Sequence, residues 1–131
     1  MAKTAKTLKA AKFRNATDEL TEFAINGLQE KKGREIVCLD LRLLKSKVTD
    51  MFIVCHAEST TQVEALARSV EEIIYKETGE SPMYKEGAEN AQWILIDYIN
   101  VVVHIFQKEF REHYGIENLW ADAQVRQIVD E

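Results

Sequence analysis

The chain is 131 residues long, 46% hydrophobic and 30% charged, with a formal net charge of −5 at pH 7. That is the composition of one ordinary globular domain, long enough to bury a single core. It holds neither an apolar run near the ~20 residues that span a bilayer nor a secretory apolar block near its start, so a cytoplasmic protein without a membrane segment is expected.

The charge is unevenly spread. Residues 1–15 carry five of the 17 Lys and Arg (Lys3, Lys6, Lys9, Lys12, Arg14) and none of the 22 Asp and Glu, which leaves 12 basic against 22 acidic residues, net −10, for residues 16–131. We therefore read 1–15 as a basic, solvated and disordered tail and 16–131 as the folded domain. The tail is too poor in Arg and Ser to make a good presequence. The acidic domain repels phosphate backbones, which argues against direct nucleic-acid binding and favours a positively charged protein surface as partner.

Helical spacing of Leu20, Phe23, Ala24, Gly27 and Leu28 predicts a first helix over 17–32, stopped by Gly33. Residues 35–44 (EIVCLDLRLL) are apolar on both alternations, as in a strand buried on both faces. A polar loop over 45–49 leads to a second strand over 50–56. Ser59 and Gln62 have capping-box spacing ahead of a helix with the stripe Val63, Leu66, Ala67, Val70, Ile73 and Ile74, ending near Gly79. A short edge strand over 82–86 precedes a hairpin over 93–97 and 101–106, a short helix over 107–113 and a last turn around Leu119 and Trp120. The order α-β-β-α-β-β-β-α predicts an α/β (α+β) fold, a mixed sheet with flanking helices.

A two-residue turn at Ile99 and Asn100 opposes Asp97 to Val102, Leu95 to His104 and Trp93 to Phe106, all on one face by strand alternation. The other face holds Ile94, Ile96, Val101, Val103 and Ile105 and is core. The first face combines aromatic area with polar handles. That suits an interface, but it also suits packing beneath the C-terminal helix with Asp97 as a cap and His104 bonded internally. Arg111, Tyr114, Leu119 and Trp120 are spaced to present a patch beside the hairpin, or to close the core. Ile99 is anomalous, because such turns need φ > 0 and a β-branched residue is strained there.

Catalytic signatures are scarce. Cys38 and Cys55 lie in apolar runs and read as buried thiols of a reducing compartment. A pairing of either with His104 has nothing to mark the thiol as activated. Cys55 and His56 are adjacent on a strand and point to opposite faces, which spoils a shared metal site. The five glycines are isolated, so no phosphate loop forms. Asp40, Asp50 and Asp97 can converge at one end of the sheet, but scattered acids serve more often as caps. No catalytic residue, metal or cofactor is expected.

Together WILIDY (93–98), VVVHIF (101–106) and REHYGIENLWADA (111–123), with LDL (39–41), TDMFIV (49–54) and STTQV (59–63) upstream, resemble the signature of the Iojap-like ribosomal silencing factors. The resemblance runs from about Asp18 to Ala123. It departs at Ile99, where the family usually has Gly, and at Asn100, where Asp is common. It implies a fold similar to nucleotidyltransferases without their catalytic acids. The function it implies is binding to the large ribosomal subunit through its protein numbered fourteen. That contact would block the small subunit and repress translation when nutrients are scarce, and in some members would aid large-subunit assembly. Matching motif positions imply a contact made by Trp93, Leu95, Asp97, His104, Phe106, Arg111, Tyr114, Leu119 and Trp120. The expected protein is a monomer on the ribosome and can be a homodimer when free. The alternatives are a nucleotidyl- or phosphoryl-transfer enzyme and a self-associating adaptor.

Overall fold

The computed structural model describes residues 15–129, so the basic tail expected over 1–15 lies, apart from Asn15, outside the described residues. Asn15 caps the first helix, its side chain accepting from the Asp18 amide at 2.9 Å. Helix α1, Ala16–Glu30, buries Leu20, Phe23, Ala24 and Leu28. Its Gly27 is required by a close approach: a Cβ there would lie 2.8 Å from the Val70 Cα of the second helix. The buried Ser69 hydroxyl donates to the Gly27 carbonyl at 2.7 Å, which fixes the two helices together.

Strand β1, Arg34–Asp40, is shorter than the sequence suggests. Asp40 ends it by accepting from the Arg42 amide at 3.0 Å and pairing with the Arg42 guanidinium, while Leu44 closes a turn onto the Leu41 carbonyl. Strand β2, Met51–Ala57, is buried throughout. Helix α2, Thr60–Thr78, is capped by Ser59, which accepts from the Gln62 amide at 3.1 Å. The expected reciprocal half of the capping box does not form, because the Gln62 side chain donates to the Lys31 carbonyl instead and ties α2 to the end of α1. Gly79, at φ 77°, ends α2.

Strands β3, Tyr84–Glu86, β4, Trp93–Asp97, and β5, Val101–Gln107, follow, then helices α3, Lys108–Tyr114, and α4, Ile116–Leu119, and strand β6, Gln124–Gln127. The sheet order is β3-β4-β5-β2-β1-β6, with β2 and β5 parallel and every other pair antiparallel. The mixed sheet and its helices agree with the expected class. Strand β6 is an addition; its four residues are all exposed, so no burial pattern announces it.

Each face of the sheet carries its own core. Helices α1 and α2 cover Ile36, Cys38, Ile53, Cys55, Ile94, Ile96, Val101, Val103 and Ile105. The other face gathers Val37, Leu39, Phe52, Val54, Val102 and Phe106, with Leu95, Trp93, Phe110, Ile116 and Trp120 half-buried against them.

The hairpin register matches expectation, with Trp93 opposite Phe106, Leu95 opposite His104 and Asp97 opposite Val102. Ile99 carries φ 78° and Asn100 has no positive φ, so the strain sits on the β-branched residue. Three hydrogen bonds hold it. The Ile99 amide donates to Asp97 Oδ1 at 2.7 Å, the Ile99 carbonyl accepts from the Thr49 hydroxyl at 2.6 Å, and the Asn100 amide donates to the Tyr98 carbonyl at 3.0 Å. The Ile99 side chain is 62% exposed and recovers little of the strain by burial. Ile99→Gly is therefore expected to raise stability by roughly 1 kcal/mol, the strain of a non-glycine residue less the added freedom of the unfolded chain. Urea unfolding checks this, and an unchanged or lower midpoint would mean that Ile99 is held without strain.

Candidate functional site

On the second face eight of the nine expected contact residues fall into three layers. At the outside, Tyr114 is 46% and Leu119 74% exposed. Trp93, Leu95, Asp97 and Trp120 are half-buried at the edge of the core. His104 and Phe106 lie beneath them, 3% and 0% exposed. These last two are corrected from surface to support: β5 is a central strand, and the aromatic rings of its neighbours cover them.

The rings form a continuous run. Tyr114 lies 4.6 Å from Trp93, which stacks on Phe106 at 5.0 Å; His104 meets Phe52 edge-on at 4.6 Å, and Phe52 meets Trp120 edge-on at 5.9 Å. Such offset and edge contacts add stability beyond area burial. One hydrogen bond orders the run, from Trp93 Nε1 to His104 Nδ1 at 3.1 Å. Since Nδ1 accepts, the ring proton of neutral His104 sits on Nε2, an atom with no hydrogen-bond partner among the described residues. Asp97 acts as the turn cap described above. The two readings of this face are thus divided by depth, with packing below and exposed aromatic area above.

Arg111 has a different part from the one expected. Its side chain is only 11% exposed. Nε and Nη2 donate to the two Glu117 oxygens at 2.9 and 3.1 Å, and Nη1 reaches His56 Nδ1 at 2.9 Å and the Arg34 carbonyl at 3.4 Å. One guanidinium so joins α3, α4, β1 and β2, fixing the short helices that carry Tyr114 and Leu119. Gly115, at φ 60°, makes the bend between those helices. Sequence reasoning missed His56 and Phe52 as parts of the site. Strand parity from Val54 would have found both, had β2 been set beside β5.

Little of this could do chemistry. Burial pushes the Cys38 and Cys55 thiols up to about 12, leaving poor nucleophiles. Both lie on the helix-covered face, opposite His104, so the candidate Cys–His pair does not assemble. Asp40, Asp50 and Asp97 do share one end of the sheet, yet Asp40 binds Arg42, Asp50 binds Lys47 and Thr17, and Asp97 caps Ile99. Among the described residues no group of three His, Cys, Asp or Glu is placed to hold a metal.

A family model described as "Ribosomal silencing factor during starvation" matches residues 14–131. The chain is 38% identical to the ribosomal silencing factor RsfS of Halalkalibacterium halodurans over 108 residues, covering 82% of this chain and 91% of that one. It is 40% identical to the RsfS of Chromobacterium violaceum, covering 78% and 82%. A more distant relative, 26% identical, is the mouse protein named mitochondrial assembly of ribosomal large subunit protein 1, of which half is covered. In three dimensions a crystal structure of a Chromobacterium violaceum protein superposes with TM-score 0.76 at 36% identity, covering 88% of this chain and 94% of that one.

The buried imidazole gives the site a pH signature. Burial pushes His104 down from 6.5 to about 4. Between those values the unfolded chain binds the proton and the folded chain does not. The stability from neutral His104 is therefore fully present above about pH 6.5 and is lost as pH falls toward 4. His56 is pushed the same way, by burial first and by the Arg111 charge second. Lowering the pH from 7 to 5 should cost roughly 2 kcal/mol at His104 by linkage. Urea unfolding at both values checks this, and His104→Gln should flatten the difference; an unaltered difference would locate the proton uptake elsewhere.

Proposed function

The chain belongs to the family of ribosomal silencing factors, and from that membership we propose that it binds the large ribosomal subunit through the ribosomal protein numbered fourteen. Bound there in the cytoplasm, a single copy stands in the way of the small subunit and lowers translation under nutrient limitation. The same contact can serve large-subunit assembly, as the name of the mouse relative suggests for that protein.

The observation that carries the reading is the aromatic run on the thinly covered face. Trp93, Leu95, Tyr114, Leu119 and Trp120 offer apolar area at the surface while His104, Phe106 and the Arg111 clamp hold it from beneath. Rigid, amphipathic rings set on a fixed base are what energetic centres of interfaces are made of. Position and bulk are enough for steric blocking, so the absence of an assembled catalytic group among the described residues is no obstacle to it. The net −10 of residues 16–131 favours approach to a basic protein.

The test is sedimentation with isolated large subunits, followed by subunit joining with and without the protein. The expected result is co-sedimentation at physiological salt and fewer joined ribosomes. Trp93→Ala and Tyr114→Ala should each weaken binding by about 2 kcal/mol or more, near thirtyfold. Normal binding by folded versions of both variants would remove this face from the contact.

A further inference from the structure

We infer that the partner-facing strip continues from β4 onto the edge strand β3, where Tyr84, Glu86, Leu95 and Asp97 form a seat for a lysine or arginine side chain of the protein partner. The inference rests on the proposed function and adds the chemistry of the group received.

Strand β3 pairs antiparallel with β4, placing Tyr84 opposite Asp97, Lys85 opposite Ile96 and Glu86 opposite Leu95. Directly opposed residues share a face. Ile96 is core beneath the helices, and Lys85 confirms that side by pairing with Glu71 of α2 at 2.6 Å. Tyr84 and Glu86 therefore stand on the other face, beside Leu95 and Asp97 and in line with Trp93. Gly87 makes this continuation possible. It has φ 89°, and a Cβ there would fall 1.9 Å from the Trp93 carbonyl oxygen, so only glycine lets the chain lie against the start of β4.

The four side chains suit a cation with an apolar stem. Tyr84 is 52% exposed, and its hydroxyl donates to Glu86 at 3.0 Å, so ring and carboxylate are already oriented. Leu95 and the tyrosine ring can carry the methylenes of a long basic side chain, and the ring face can also attract its charge. Opposed pairs stand ~5 Å apart and successive same-face residues ~6.8 Å apart, a spacing that places Glu86 and Asp97 at opposite corners around the seat. Several other acids of the domain already have cations: Asp40 has Arg42, Asp50 has Lys47, Glu71 has Lys85 and Glu117 has Arg111. Among the described residues neither Glu86 nor Asp97 has one. Two carboxylates without cations disfavour a phosphate at this place and favour a basic side chain.

The test uses the full chain and isolated large subunits in a sedimentation titration. Glu86→Lys is expected to weaken binding tenfold or more, Glu86→Gln about threefold, and Tyr84→Ala about fivefold, with unfolding midpoints unchanged. Glu72→Lys makes the same charge change on α2, across the sheet, and should bind as the original does. If the original chain binds, Trp93→Ala weakens it, and Glu86→Lys matches Glu72→Lys, the seat is overturned while the proposed function stands. Tighter binding by Glu86→Lys would mean that the strip faces RNA phosphate, and also overturns the seat. If the original chain does not bind large subunits, both fall together.

Discussion

Unequal cover on the two faces of one sheet shapes this molecule. Both central strands, β2 and β5, are buried on both sides, and their parallel pairing carries apolar residues at nearly every position. Helices α1 and α2, of 15 and 19 residues, lie over one face. At ~1.5 Å rise per residue they are roughly 22 and 28 Å long. The other face has α3 and α4, of seven and four residues, about 10 and 6 Å of helix by the same rise. That cover is too small. The aromatic run is what remains when a two-sided sheet receives one full layer and one partial layer.

A partial layer must be fixed by something other than its own area. Short helices are marginal by themselves, and α3 and α4 contain no fully buried residue. Arg111 supplies the missing constraint through charge-assisted hydrogen bonds to Glu117 and a neutral His56. The Trp93–His104 bond does the same for the strand side. Polar groups thus determine the shape of an apolar surface. Both histidines must be uncharged for these bonds to form, which couples the order of the surface to pH. Rings held in this way lose little freedom when a partner arrives, and preorganisation of that kind improves affinity more reliably than additional area.

Much of this was legible in the sequence, and the omissions have physical causes. Period-two alternation and a two-residue turn give the hairpin register, because Ile94, Ile96, Val101, Val103 and Ile105 then all face the helices. It could not say how far Trp93 or His104 would be covered, since that depends on where α3 lies, and a seven-residue helix has no strong pattern. Arg111 reads as a contact from its spacing with Tyr114, Leu119 and Trp120 and from its motif position, neither of which shows what lies beneath it. Its partner His56 is 55 positions away, joined to it only by the β2–β5 crossover. Strand β6 escaped because edge strands need no apolar face. The apolar run continues through Leu41 and Leu44 and so suggests a longer β1, although Asp40 turns the chain first.

Two departures from regular geometry flank strand β4 and its neighbour β3. Ile99 holds a positive φ at the end of β4 with no burial to reward it, and Gly87 holds one at the end of β3 because the Trp93 backbone occupies the space a side chain would need. Between these two points run Trp93 and Leu95, both half-buried on the thinly covered face. A fold under selection for stability alone would extend the C-terminal helices over Trp93 and Leu95. Such a molecule would be more stable and would have no face to offer. The incomplete layer is therefore better understood as the surface on which the proposed contact depends than as a defect of packing. The hydrogen bonds beneath it are what keep so much half-buried aromatic area ordered.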